Sequence, residues 1–189
     1  MIDLTVSCTR TAKLLNGVRD EDLGGRTPCE QLNVGELTAH IGGLAVAFAA
    51  AARKEFGALT DTPPEEGGYQ LDDDWRTRYP AALAGLAQSW LAPEAWAGMT
   101  RVGGVDLPGE VAGLVGLTEV VIHGWDLAQA TGQSYDVDND VAEAVLANVS
   151  SFTSEGPVDG LFGPAVEPPA GATTWQRALA LSGRKPGID

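Results

Sequence analysis

One stretch of this chain, Val111 to Ala128, is almost free of charge and restricts the fold more than any other stretch. Its only ionisable side chains are Glu119, His123 and Asp126, and the other residues are apolar, glycine or threonine. A helix at a protein surface has a broad charged face, and this segment has none. The pattern therefore predicts a helix that is buried on nearly all sides.

Glu119 and His123 are four residues apart, so on a helix they share one side. A buried carboxylate without a partner is costly or becomes protonated, so something must compensate Glu119. His123 could do so as a hydrogen-bonded neighbour on the same helix, or both side chains could bind a metal ion.

A second helix, predicted from Asn33 to about Phe56, offers another candidate ligand. Glu36 follows Asn33 by three residues, which is the spacing of a capping box. His40 lies on the flank of this helix's apolar stripe and is expected to point into a bundle or a seam between helices. Taken alone, His40 is more simply a hydrogen-bonded core histidine.

The chain has no other histidines, so His40, Glu119 and His123 form one candidate ligand set. Two nitrogens and one oxygen suit zinc first, with nickel or ferrous iron as alternatives. Three protein ligands leave an open position, as in catalytic metal sites. Asp126 could be a fourth ligand or a residue at a helix seam, and the favoured roles are structural support or orientation of a ligand imidazole.

The chain has two cysteines, which are too few for a disulfide-stapled scaffold. Cys29 lies before the start of the second helix, about two helical turns below His40. It is therefore predicted to be a small buried residue rather than a ligand. Cys8 is predicted to lie in the core. With no signal-peptide pattern at Met1, a reducing cytoplasm is the expected compartment.

The rest of the sequence predicts an all-α fold of one domain over residues 1–189. We expect a bundle core at about residues 5–131 and a C-terminal helical extension at about 138–189. The remaining predicted helices are Thr5–Leu23, Asp72–Leu91, Gly109–Thr131, Asp138–Phe152 and Thr174–Leu181. Gly57 to Gln70 is predicted to be an exposed acidic loop, and Gly103-Gly104 predicts a small β-hairpin just before the fourth helix.

The balance of charge argues against two classes of partner. Lys and Arg number 12 against 26 Asp and Glu, which gives a formal net charge of −14. Such a surface repels nucleic acid and anionic lipid. The longest apolar run, Ile41 to Ala52, is shorter than the ~20 residues that cross a membrane. We expect neither a nucleic-acid nor a membrane partner.

Three segments of the chain resemble those of a known superfamily. Thr27-Pro28-Cys29 followed by Val34-x-x-Leu37-x-x-His40 resembles the start of the second helix in DinB-like proteins. The segment from Glu119 to Ala128 is similar to the second motif of the metal-binding domain of mycothiol-dependent maleylpyruvate isomerases. The segment Leu181 to Pro186 is similar to the C-terminal end of a subgroup described only as metal-binding proteins.

The resemblance implies a four-helix bundle with a divalent metal bound by His40, Glu119 and His123. It also implies a low-molecular-weight thiol, mycothiol or a sister thiol, as cofactor and suggests a homodimer. Many relatives have Trp where this chain has Leu32, which affects the loop and not the ligands.

Three functions follow as alternatives. The first is a thiol-dependent transferase or isomerase that acts on a small electrophile. Arg76 and Arg78 are then candidate groups for an acidic thiol or substrate, although solvated surface arginines are the simpler interpretation. The second function is a thiol-independent metal-dependent hydrolase, in which a metal-bound water attacks the substrate. The third is a metal-binding protein without catalysis.

Overall fold

The computed structural model describes residues 1–63, 69–153 and 162–187, and there the regular structure is helical apart from one β-hairpin. The α-helices are α1 Thr5–Gly17, α2 Val34–Ala52, α3 Ala58–Asp61, α4 Trp75–Ser89, α5 Pro93–Trp96, α6 Gly109–Thr131, α7 Asn139–Thr153 and α8 Thr174–Leu181. The antiparallel strands are β1 Met99–Val102 and β2 Val105–Pro108. The predicted all-α fold with a small hairpin before the long apolar helix is confirmed.

The first two predicted helices end earlier than expected. α1 stops at Gly17 because Val18 is extended, and a short 3-10 turn at Asp20–Asp22 follows instead of further helix. α2 begins with the predicted capping box but ends at Ala52, two residues before Lys54 adopts a positive φ of 57°. A left-handed residue cannot continue a right-handed helix.

The segment between α2 and α4 also differs in part from the prediction. Its first part forms the short helix α3 rather than a loop, and residues 64–68 of the predicted acidic loop lie outside the described residues. α4 begins at Trp75 instead of Asp72, and Pro80 lies inside it. Residues 154–161, within the predicted C-terminal extension, are likewise outside the described part of the chain.

Four helices, α1, α2, α4 and α6, pack around one core. α2 contacts both α4 and α6, and α1 contacts the same two helices from the other side. The apolar faces meet in this centre, and its fully buried residues include Leu15, Leu37, Ile41, Leu83, Leu86 and Leu117. Burial of such faces is the main source of stability for helices of this length.

The contacts between neighbouring helices fix their directions. Phe48 of α2 lies against Gly116 of α6, while His40 lies beside His123, so these two helices are antiparallel. In contrast, Gly42 of α2 meets Tyr79 of α4 and the Trp90 indole donates to the Phe48 carbonyl, so α2 and α4 are parallel. The chain between two parallel neighbours must return along the length of the bundle.

Two of these helices have the length and apolar character of membrane-crossing segments. The most apolar windows of α2 and α6 have mean hydropathies of 1.4 and 1.3, and 72% and 78% of their residues are buried inside the protein. Core helices of soluble proteins have the same properties, so this is weak evidence for a membrane span. The expected absence of a membrane partner stays a prediction.

The chain forms two compact units, Met1–Tyr135 and Asp136–Asp189. The first contains the four-helix bundle, α3, α5 and the hairpin. In the second, α7 packs against α8, and α8 begins with a capping box between Thr173 and Gln176. The predicted boundary between bundle core and extension falls close to this division, and the prediction that both form one domain stays a prediction.

Candidate metal centre

The structure brings His40, Glu119 and His123 together between α2 and α6. Oε2 of Glu119 lies 3.5 Å from Nε2 of His40 and 3.3 Å from Nε2 of His123. The two imidazole rings meet edge to face, with their centroids 4.8 Å apart. Because the helices are antiparallel and in contact, one residue of α2 can face residues one turn apart on α6. A single carboxylate oxygen thus lies between two imidazole nitrogens.

Asp126 lies behind His123 and is completely buried. Its Oδ2 is 3.1 Å from Nδ1 of His123, and an ionised carboxylate accepts a hydrogen bond from that ring nitrogen. With Nδ1 occupied in this way, Nε2 of His123 is left to face Glu119. This is the arrangement by which carboxylates orient histidine ligands in metal sites.

Burial and hydrogen bonding compete in setting the charges of this cluster. Burial lowers the pKa of His40 below its ordinary value, only partly offset by Glu119. Burial opposes charge on His123 as well, but hydrogen bonds from its ring to Asp126 and Glu119 outweigh it and raise its pKa to about 9. Burial disfavours ionisation of Glu119, yet both imidazoles together lower its pKa. The pKa directions thus favour an ionised Glu119 and a protonated His123 in the absence of a metal ion.

The donor set of this cluster fits a divalent metal ion. One ligand atom from each of His40, Glu119 and His123 lies within 4.8 Å of the others, so one ion could contact all three. Two imidazoles and one carboxylate suit zinc, nickel or ferrous iron. The three side chains come from the positions that the sequence predicted.

Cys29 is closer to the cluster than the sequence indicated. Its Sγ, a ring nitrogen of His123 and a carboxylate oxygen of Asp126 lie within 4.8 Å of one another, and Cys29 is half-buried. The expectation that Cys29 is buried under the loop is therefore wrong, whereas the expectation that it is not a ligand stays a prediction. An estimate from helix rise alone placed Cys29 too far from the cluster. The loop before α2 folds back, and an isolated β-bridge joins Arg26 and Asn33. Cys8, in contrast, is buried as predicted.

Tyr69 is a neighbour of the cluster that sequence reasoning missed. Its ring centroid lies 5.0 Å from that of His40, with the rings tilted by 59°. Tyr69 belongs to the segment that returns along the bundle from α2 to α4, and that return brings it beside α2. The sequence gives only a weak indication of this contact, because the contact depends on the parallel packing of α2 and α4.

The structure does not bring Arg76 or Arg78 into the cluster. Nη1 of Arg76 donates to the carbonyl oxygen of Val18 at 2.7 Å, and the guanidinium also pairs with Asp20. Arg78 pairs with Asp72 at 2.6 Å. Both arginines neutralise acidic neighbours on the surface of the bundle, and their role in binding a thiol or substrate stays a prediction.

Comparison with known proteins relates the chain to one family. The family model described as the mycothiol maleylpyruvate isomerase N-terminal domain matches residues 4–128, which include His40, Glu119 and His123. Two uncharacterized proteins of Mycobacterium tuberculosis, from strains CDC 1551 / Oshkosh and ATCC 25618 / H37Rv, are each 33% identical over 138 residues, covering 72% of this chain and 69% of the relative.

Two solved structures share the fold. A crystal structure of the mycothiol-dependent maleylpyruvate isomerase superposes with a TM-score of 0.61 at 22% identity, over 82% of this chain and 70% of that chain. A histidine-to-alanine mutant of that isomerase gives a TM-score of 0.57 at 18% identity, with the same coverage. At these identities the likeness shows the fold alone.

Proposed function

The chain belongs to the mycothiol maleylpyruvate isomerase N-terminal domain family, and from that premise we propose that it is a divalent-metal protein that works with a small thiol. The thiol is of the mycothiol type, and the reaction is its transfer to a small electrophile or a thiol-dependent isomerisation. The observation that carries the proposal is the cluster of His40, Glu119 and His123, whose ligand atoms lie within 4.8 Å of one another.

Zinc is the proposed ion, with nickel and iron as alternatives. A divalent ion bound by these three residues would lower the pKa of a coordinated thiol and polarise a substrate oxygen. Glu119 supplies the negative charge of the ligand set, and it is held between the two imidazoles. Asp126 holds His123 with Nε2 toward Glu119, so that this ligand is oriented before any ion binds.

The surface next to the cluster supports a small substrate with an apolar part. Gly43 and Ala47 follow His40 on the same side of α2, and Val115 precedes Glu119 by one turn of α6. Gly43 is exposed, while Ala47 and Val115 are half-buried. These residues carry no charge, and Tyr69 beside His40 adds an aromatic face. A small apolar electrophile could rest there with its polar group toward the ligands.

A thiol-binding and turnover assay tests the proposal. Metal-loaded protein is titrated with mycothiol in a calorimeter, and turnover of small electrophiles, maleylpyruvate among them, is measured with and without the thiol. We expect saturable binding and turnover that depends on both metal and thiol. Glu119→Gln should lose both, because it removes the anionic ligand. Glu110→Gln is the matched control, since Glu110 lies exposed on the same helix.

Two results would overturn the proposal. One is the absence of both thiol binding at millimolar mycothiol and thiol-dependent turnover in the metal-loaded protein. The other is turnover of esters or amides after all thiols have been removed, which would identify a metal-dependent hydrolase instead.

A further inference from the structure

A second set of potential ligands also includes His123. It consists of the Cys29 thiol, the Asp126 carboxylate and a ring nitrogen of His123, whose ligand atoms lie within 4.8 Å of one another. The Nδ1 atom of His123 faces Asp126, at 3.1 Å, whereas Nε2 faces Glu119. His123 therefore belongs to both ligand sets, with one ring nitrogen toward Asp126 and the other toward Glu119.

From this arrangement we infer that Cys29, His123 and Asp126 form a second metal site, selective for thiophilic cations. A thiolate sulfur, an imidazole nitrogen and a carboxylate oxygen form a mixed donor set that binds zinc and its softer relatives. The thiolate favours soft ions such as Cd²⁺ more strongly than the N/O set of His40, Glu119 and His123 does. The two sites are adjacent and share His123.

The loop that carries Cys29 is held in place by its own hydrogen bonds. The Thr27 hydroxyl contacts the carbonyl oxygens of Cys29 at 2.8 Å and Leu32 at 2.7 Å, and the Leu32 amide donates to the Cys29 carbonyl at 2.9 Å. The backbone of Cys29 is thus fixed before an ion arrives, which reduces the entropy lost on binding. Cys29 itself is half-buried rather than enclosed in the core.

The charges of the second site balance when a divalent ion binds. Cys29 loses its thiol proton to solvent, and the thiolate and the Asp126 carboxylate together neutralise the ion. His123 would bind this ion through Nδ1, which loses to solvent the proton that it otherwise donates to Asp126. Nε2 keeps its proton when the first site is empty and loses it to solvent when that site also holds an ion.

Cadmium titration of the metal-free protein tests this inference. Cd²⁺ bound to a thiolate produces an ultraviolet charge-transfer absorption, and the chain has two cysteines, Cys8 and Cys29. We expect the wild type to bind two Cd²⁺ per chain and to develop this absorption. Cys29→Ala should bind one ion fewer and lack the absorption, whereas Cys8→Ala, the matched control, should behave as the wild type does.

His40→Ala separates the second site from the first, because His40 belongs only to the first set. The absorption should persist in this variant at the wild-type amplitude. Its loss there would mean that Cys29 serves the first site, and this result would overturn the inference. No absorption in the wild type, or an undiminished absorption in Cys29→Ala, would also overturn it.

The same titration keeps this inference distinct from the proposed function. If the wild type binds one Cd²⁺ with the absorption and Cys29→Ala binds none, the first site fails and the second stands. Circular dichroism checks the folding of each variant. If Cys29→Ala does not fold, alkylation of Cys29 in the folded wild type replaces it, and the absorption should then be absent.

Discussion

At the scale of single residues, His123 and the carboxylate of Asp126 behind it are central to the proposed metal centre. Asp126→Asn keeps the size of the side chain but replaces one carboxylate oxygen with an amide nitrogen, so it weakens the acceptor for Nδ1 of His123. Substitutions of this kind typically reduce metal affinity about 10–100-fold. Competition with a chromophoric chelator measures the affinity, with Asp106→Asn as the control because Asp106 pairs with Arg101 at an exposed position. Equal affinities in the two variants would contradict the orienting role.

The two cysteines should differ sharply in reactivity. Burial raises the pKa of Cys8 to about 12, so almost none of this thiol is ionised at pH 8, and its reactivity increases only as the pH approaches 12. Cys29, in contrast, is only half-buried. Metal-free folded protein at pH 8 should therefore react with one equivalent of an alkylating reagent, located at Cys29 by peptide mass spectrometry. Equal labelling of Cys8 without unfolding would show that its surroundings are misassigned.

At the scale of elements, α2 packs tightly on one side and is open on the next. A Cβ added at Gly42 would lie within 2.6 Å of three atoms of the Tyr79 ring, whereas one added at Gly43 meets nothing within 4 Å. Gly42→Ala should therefore lower the free energy of unfolding by about 1–3 kcal/mol, because the added methyl group overpacks the contact with Tyr79. Gly43→Ala should be neutral or stabilising by up to about 1 kcal/mol, because alanine favours a helix.

Thermal unfolding compares the two alanine variants, at roughly 2–4 °C in melting temperature per kcal/mol for a chain of this size. Similar melting temperatures for both would mean that α2 and α4 do not approach each other as described.

Sequence reasoning at this scale succeeded where a pattern is local. The capping box of Asn33 and Glu36 forms as predicted, and Gly132 ends α6 with a positive φ of 66°. The uncharged surroundings of Glu119 reflect burial against other helices. Cys29 and Tyr69 were missed because their positions depend on how loops return along the bundle. Such contacts are long-range, and no periodicity within a helix encodes them.

At the scale of the whole molecule, metal binding and folding should be linked. The three proposed ligands come from two helices far apart in sequence, so the site is complete only when the bundle is folded. An ion present at 100 times its dissociation constant would stabilise the fold by about 2.7 kcal/mol. The melting temperature should then increase by about 5–10 °C with zinc and return with EDTA.

Glu119→Gln should reduce the increase in melting temperature that zinc produces. Glu110→Gln, at an exposed position of the same helix, should leave that increase unchanged. A melting temperature that does not respond to zinc in the wild type would contradict the linkage. The fold class was predictable from the apolar helices, and the predicted boundary between bundle core and extension falls close to the division into the units Met1–Tyr135 and Asp136–Asp189.

The most direct test of the metal centre is the metal content of protein purified without a histidine tag. In the wild type and in the His40→Ala/His123→Ala double variant, the Cys29 thiol is first alkylated, so that only the site of His40, Glu119 and His123 can hold metal. Both proteins are then loaded with zinc and dialysed, and their metal content is measured by elemental analysis. We predict one ion per chain in the wild type and none in the double variant. Stoichiometric metal retained by the double variant would contradict the assignment of His40, Glu119 and His123 as the metal centre.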